Sequence, residues 1–164
     1  MLTPQTLAKN LADQLGLKTD LYLKREDLHK FGSHKGRSIP LMIEKHHKNG
    51  WNNFVISSSG NAALAAILAI QKHNKNNPTD LFILKIFVGK NIDKQKLKNL
   101  LKITKNDKQI KIEQVKNPKQ QAFQLDKNKQ AKFLRQSTDS TAILGYYDLA
   151  KELAKIKDLS AIFI

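Results

Sequence analysis

From Asn53 onward the chain alternates short β-prone runs with helix-length amphipathic stretches, and that alternation constrains the fold more than any other feature. Phe54-Val55-Ile56 reads as a strand and Asn61 to His73 as a helix; Leu81 to Val88 and Asp93 to Lys102 repeat the pair. Gln109 to Val115 is the next strand, Pro118 to Asp126 a helix, and Lys132 to Arg135 a last short strand. Strands separated by helices imply a parallel sheet covered on both faces, an α/β architecture. The polar stretch Lys72 to Asp80 reads as a loop within that pattern, and no internal repeat is present.

Upstream, Thr3-Pro4 followed by Leu7, Leu11 and Leu15 predicts a short amphipathic helix stopped at Gly16, and Leu21 to Leu23 a short strand. Lys35 to Lys48 carries Ile39, Met42 and Ile43 at helical spacing, between a Gly32-Ser33 turn and an Asn49-Gly50 stop. Pro40 falls in the first turns, where its missing N–H is tolerated.

Parallel βαβ units bind ligands at the carboxyl ends of strands. Ser57-Ser58-Ser59-Gly60-Asn61 occupies that end of the Phe54–Ile56 strand. Backbone N–H groups opening a helix are unpaired and the helix dipole favours an anion there, so Ser58, Ser59 and Gly60 are a candidate carboxylate cradle. An ordinary Ser/Gly turn capping the helix is the competing reading. Ahead of it lies Ser33-His34-Lys35-Gly36-Arg37. A lysine amine condenses with a carbonyl as a Schiff base when burial or a nearby cation frees its neutral form. Lys35 ahead of the Ser/Gly turn suits an aldehyde cofactor and an amino-acid substrate; the alternative is one more surface lysine.

Composition narrows the classes. At 164 residues and 40% hydrophobic the chain can build a core, and without cysteine it has neither disulfides nor thiolate metal sites, which fits a cytoplasmic protein. No run is long enough to span a membrane, the N-terminus lacks the layout of a signal peptide, and no membrane partner is expected. His29, His46, His47 and His73 lack metal-ligand spacing, so no metal is expected. A net charge of +15 is the footprint of many nucleic-acid binders. Here, though, 26 lysines are spread from Lys9 to Lys157 and the only arginines are Arg25, Arg37 and Arg135. A solvated lysine-rich surface is the expectation, and a non-enzymatic module that binds a polyanion is the counter-reading, recognisable by steep salt dependence.

Three blocks in order, Leu21-Tyr22-Leu23-Lys24-Arg25-Glu26-Asp27-Leu28, Gly32-Ser33-His34-Lys35-Gly36-Arg37 and Ser58-Ser59-Gly60-Asn61, resemble the N-terminal half of the pyridoxal-phosphate (PLP) enzymes of fold type II. This tryptophan synthase β-like family includes threonine synthase, threonine and serine dehydratases and cysteine synthase. Asp139 to Leu153 is similar to the family's helix leading back into its large domain. The resemblance implies a three-layer parallel-sheet fold with a complete small α/β domain over 51–135. Residues 1–50 and 136–164 would be pieces of a truncated large domain.

The resemblance also implies PLP as cofactor and a lyase or synthase reaction at the β or γ carbon of an amino acid. Lys35 would hold the cofactor and act as base at Cα; Asn61 would bond the ring oxygen and His34 the phosphate. Ser58, Ser59, Gly60 and Asn61 would bind substrate, with Ser59 shuttling a proton. Ser59-Gly60-Asn61-Ala62-Ala63 is closest to threonine synthases, whereas Leu28-His29-Lys30-Phe31-Gly32 departs from their usual Asn-Pro-Thr-Gly, which leaves a threonine or serine dehydratase-like reaction open. A homodimer is the expected form of the full-length enzyme. Ser160 to Ile164 reads as an apolar strand that in the family runs into a glycine-rich phosphate loop. A chain ending on that strand is expected to be poorly active for want of the phosphate loop, and the strand's unpaired state implies loosely held terminal pieces and self-association.

Overall fold

The computed structural model describes residues 2–163. The chain opens with β1 (Gln5–Leu7), α1 (Lys9–Gln14) and β2 (Tyr22–Lys24), then a 3₁₀ turn at Glu26–Leu28 and α2 (Lys35–Lys48). The alternating region follows as β3 (Asn53–Ser57), α3 (Asn61–Asn76), β4 (Ile83–Gly89), α4 (Lys94–Thr104), β5 (Ile110–Val115), α5 (Pro118–Lys127) and β6 (Lys132–Phe133). Two short helices, α6 (Thr141–Leu144) and α7 (Tyr147–Leu153), complete the order.

The sheet is all parallel in the order β5-β4-β3-β6, with Phe54 opposite Leu84 and Lys132, and Ile86 opposite Ile112. Side chains alternate across a strand, so β3 feeds two cores. Phe54 and Ile56 join Leu84 and Ile86 beneath α2 and α3, while Val55 joins Phe87, Phe133 and Ala122 beneath α5. All three β3 side chains are almost wholly buried, worth roughly 1.5–3 kcal/mol each. Asp93 caps α4 by accepting from Lys96 N at 2.9 Å, and Pro118 opens α5 where its missing donor costs nothing.

Three sequence expectations change. Gln5–Leu7 is a strand paired antiparallel with β2, Gln5 against Lys24 and Leu7 against Tyr22, so the predicted first helix shortens to Lys9–Gln14. The Leu7, Leu11, Leu15 spacing suits a helix, but pairing with β2 satisfies the backbone of the first three residues instead. α3 continues to Asn76 and absorbs the first half of the expected Lys72–Asp80 loop. Ser160 to Phe163 forms no strand and is exposed, Phe163 to 90%; Ile164 lies outside the described residues. A strand needs a neighbour for its N–H and C=O groups, and none of the described strands pairs with this segment.

α2 and α3 run side by side in the same direction, because their starts touch and their ends touch. At the starts, Gly32 has φ +82° and a Cβ there would lie 2.6 Å from Leu64 Cδ2 on α3. At the ends, the His47 and His73 rings meet edge-on at 5.7 Å, and His73 stacks on Phe82. α2 is held from behind as well: a Cβ on Gly36 would fall 2.3 Å from His29 Nδ1, and one on Gly145 2.3 Å from the Arg37 carbonyl oxygen. Only glycine permits either approach.

The terminal pieces meet on a buried ion-pair network centred on Arg37. Its Nε and Nη2 donate to the two Glu26 carboxylate oxygens, both at 2.8 Å, and Nη1 and Nη2 reach the Glu152 carboxylate of α7 at 3.1 Å. Lys24 Nζ pairs with Glu152 and donates to Thr3 O at 2.7 Å, while Thr3 Oγ1 donates to Glu26 Oε1 at 2.5 Å. Two cations face two carboxylates, so the cluster is neutral. Removing one member strands a buried charge, which costs about 3–5 kcal/mol. Arg37→Met should lower stability by about that amount in denaturant unfolding. Burial alone would push the Glu152 carboxyl up, but Arg37 and Lys24 hold it down to about 2 from the ordinary 4.5. A depressed carboxyl contributes stability that is complete above its unfolded value and lost as pH falls through its folded one. The unfolding midpoint should therefore drop between pH 4.5 and pH 2, and Glu152→Gln should flatten that slope.

Candidate active site

β3 ends at Ser57, and Ser58-Ser59-Gly60 turn the chain directly into α3 at the carboxyl edge of the sheet. No side chain caps α3, so the N–H groups of its first turn carry no side-chain partner. Ser58 Oγ accepts from Gly60 N at 3.3 Å and tightens the turn. A Cβ on Gly60 would meet no protein atom within 4 Å, which means the space before the turn is open and the fold itself does not require glycine there. Asn61 is the first residue of α3 and is exposed.

Lys35 is the first residue of α2, whose start packs beside the start of α3. Ser33 Oγ, buried in the turn, accepts from Lys35 N at 3.2 Å and so serves as a local cap for α2. The Lys35 amine, the His34 imidazole, the Ser59 hydroxyl and the Asn61 amide make no hydrogen bond or ion pair with any described residue. Burial, followed by the charge of Lys35, holds the His34 imidazole below its ordinary value of 6.5. The structure thus brings Lys35 and His34 to the same sheet edge as Ser58, Ser59, Gly60 and Asn61, on an open face. These residues line none of the cavities at α5, at the α4–β5 loop or behind α2.

Several residues that position this edge escaped the sequence reading. Arg37 lies inside the lysine block, yet its partners Glu26 and Glu152 stand 11 and 115 residues away. Ser38, one turn beyond Lys35, bonds Gln136 just after β6, and Tyr146 lies 3.4 Å from both. His46 donates to Asp139 Oδ2 at 2.7 Å and ties the end of α2 to the start of α6. Burial alone would raise the Asp139 carboxyl, but hydrogen bonds from Thr141 and His46 hold it below its ordinary range. A charged residue at a buried helix position was the one available signal, and only for Arg37.

Comparison with known proteins bears on the family and the fold. A family model described as "Pyridoxal-phosphate dependent enzyme" matches residues 2–164. Among solved structures, a pyridoxal 5'-phosphate-dependent aspartate racemase is similar at TM-score 0.76 and 22% identity, over 93% of this chain and 45% of that one. The processed form of threonine deaminase isoform 2 from Solanum lycopersicum follows at 0.73 and 22%, over 95% and 43%. Maize serine racemase gives 0.69 and 19%, over 94% and 45%. The chain spans less than half the length of these proteins, and likeness at such identities establishes the fold alone. Comparison with curated proteins gives no match.

The residues present fit pyridoxal phosphate on structural grounds. An unpartnered amine, an unpartnered amide and hydroxyl, and an open backbone turn at a helix start supply the donor set that an aldehyde with a substrate carboxylate requires. The environment of His34 gives a direct check. Its imidazole should titrate below pH 6.5 by NMR, and Lys35→Gln should move it only part of the way back, because burial is the larger cause.

Proposed function

The chain belongs to the pyridoxal-phosphate dependent enzyme family, and from that premise we propose that it carries the cofactor-anchoring and carboxylate-binding edge of an enzyme acting on an amino acid. The observation behind this reading is the set of unpartnered polar groups, Lys35, His34, Ser59 and Asn61, at the adjacent starts of α2 and α3. When bound, pyridoxal phosphate supplies an aldehyde that condenses with amines and a ring that takes up the electrons of a carbanion.

The chain's own residues would divide the remaining work. Lys35 Nζ anchors the cofactor and then takes the proton from substrate Cα. The unpartnered N–H groups opening α3 hold the substrate carboxylate, helped by the dipole of a 16-residue helix. Asn61 donates to the ring oxygen, and Ser59 Oγ, with no partner in the protein, carries a proton between substrate and solvent. His34, held neutral by burial, offers one N–H to the cofactor phosphate. In this proposal 51–135 is the small domain and 1–50 with 136–164 belongs to the large one, whose α2 packs against α3 of the small one.

The preferred reaction is threonine synthase-like, a replacement in which the leaving group departs from Cγ and water adds at Cβ, on the strength of Ser59-Gly60-Asn61-Ala62-Ala63. A threonine or serine dehydratase-like elimination at Cβ stands beside it, since one of the similar structures is named a threonine deaminase. In the whole protein the products separate the two: a 2-oxo acid and ammonia for elimination, a new amino acid for replacement.

Binding to this chain tests the site. Titration with pyridoxal phosphate should produce a visible absorbance band that Lys35→Ala abolishes. A band that survives the substitution would count against Lys35. Gly60→Ala should leave the fold intact, since nothing lies within 4 Å of the added carbon, yet weaken binding of an amino-acid ligand about tenfold by crowding its carboxylate. Unchanged ligand affinity in Gly60→Ala would remove the cradle from the account.

A further inference from the structure

A second charged feature lies on the other face of the sheet. α2 and α3 cover the face of Phe54 and Ile56, whereas α5 covers the face of Val55 and Phe133. Between the start of α5 and the end of β6 is a solvent-open cavity of about 560 Å³. Lys116, Lys119 and Arg135 line it, together with Phe123 and Phe133. The cavity shares the carboxyl edge with Ser57–Asn61 but not their face, and it contains none of the residues assigned above.

Its charge is uncompensated. Neither Lys116 nor Lys119 has an ion-pair partner among the described residues, and Arg135 spends only its Nε, on Ser137 Oγ at 3.1 Å. The carboxylates nearest in the chain are engaged elsewhere: Glu113 with Lys85 at 3.4 Å, Asp126 with Lys132 at 3.1 Å and Asp139 with His46 at 2.7 Å. Three cations converging on one concavity, without a counter-charge, complement a multiply charged anion, and a guanidinium matches a phosphate in shape.

The walls add a second requirement. Phe123 is 52% exposed at the mouth, and Phe133, 8% exposed, forms the floor. A half-exposed phenylalanine among cations gives a flat ring a surface to lie on, which inorganic phosphate would not use. We propose that this cavity is a second ligand site for an organic phosphate bearing a flat ring, the phosphate on Lys116, Lys119 and Arg135 and the ring against Phe123. A nucleotide and a phosphorylated pyridine share that chemistry. The inference is independent of the role given to Lys35.

Titration of the full chain by ¹H–¹⁵N NMR with AMP, pyridoxine 5'-phosphate, adenosine and inorganic phosphate tests it. Pyridoxine phosphate has no aldehyde, so condensation with lysines does not interfere. At least one ring phosphate should shift the amides of 116–123 and 133–135 saturably, and response to one or the other identifies the source. Lys119→Ala combined with Arg135→Gln should weaken that binding at least tenfold. Phe123→Ala should weaken the ring phosphate several-fold while leaving inorganic phosphate unchanged, and Lys35→Ala should leave the site intact. The proposal is overturned by any of three results: no saturable shift at millimolar ring phosphate, adenosine or inorganic phosphate binding as tightly as AMP or pyridoxine phosphate, or wild-type affinity in the double variant. Lys116→Ala, at an exposed position, gives the same reading should the double variant fold poorly.

Discussion

The structure depends on the buried guanidinium of Arg37. It sits two residues beyond Lys35 in the first turns of α2, and its four nearest carboxylate oxygens come from Glu26 and Glu152. Through them β1, β2, the 3₁₀ turn and α7 converge on one helix. A buried ion pair adds little net stability over an apolar replacement, but a half-broken one is strongly unfavourable, so the network specifies arrangement more than it adds strength. The terminal segments have few apolar contacts to fix them: Leu7, Leu11, Leu144 and Tyr147 are all substantially exposed. Their placement against α2 rests on Arg37 and on the close contacts at Gly36 and Gly145.

That placement aims the chemistry. α2 enters its first turn where Gly32 lies against Leu64 of α3, so an amine from one helix and an uncapped helix start from the other share the carboxyl edge of β3. The parallel sheet supplies the edge and the two helices supply its groups. The polar side chains left there without partners differ from those elsewhere in the molecule. Asn52, Asn74 and His73 are polar too, but each is spent on packing β4 and its approach against α2 and α3. No helix among the described residues is long and apolar enough to cross a membrane, and none of their His, Asp and Glu side chains gathers into a metal-sized cluster.

What was legible in the sequence was local. Helix and strand periods placed β3, β4, β5, α2, α3, α4 and α5, and α2 has the bounds Lys35–Lys48 that its Gly32-Ser33 turn and Asn49-Gly50 stop indicated. The Ser/Gly turn was located correctly because a strand that runs into a helix leaves only one edge for it. What escaped was non-local. β1 needed a partner strand 17 residues on, and Ser160 to Phe163 had apolar content but no neighbour to pair with. The partners of Arg37, Ser38 and His46 lie across the fold, and no spacing rule along one chain reaches from Arg37 to Glu152. Lysine richness obscured a further signal, since only the fold shows that Lys116, Lys119 and Arg135 share a cavity while Lys132 and Lys85 are paired.

The central claim, that one lysine among 26 is built to anchor the cofactor, is tested most directly by reductive trapping. Protein mixed with equimolar pyridoxal phosphate is reduced with borohydride, digested and mapped by mass spectrometry. A label concentrated on Lys35, with the exposed lysines of α4 essentially unmodified, is the predicted result. A label distributed over surface lysines in proportion to their exposure, or centred on a lysine away from the starts of α2 and α3, would contradict the account.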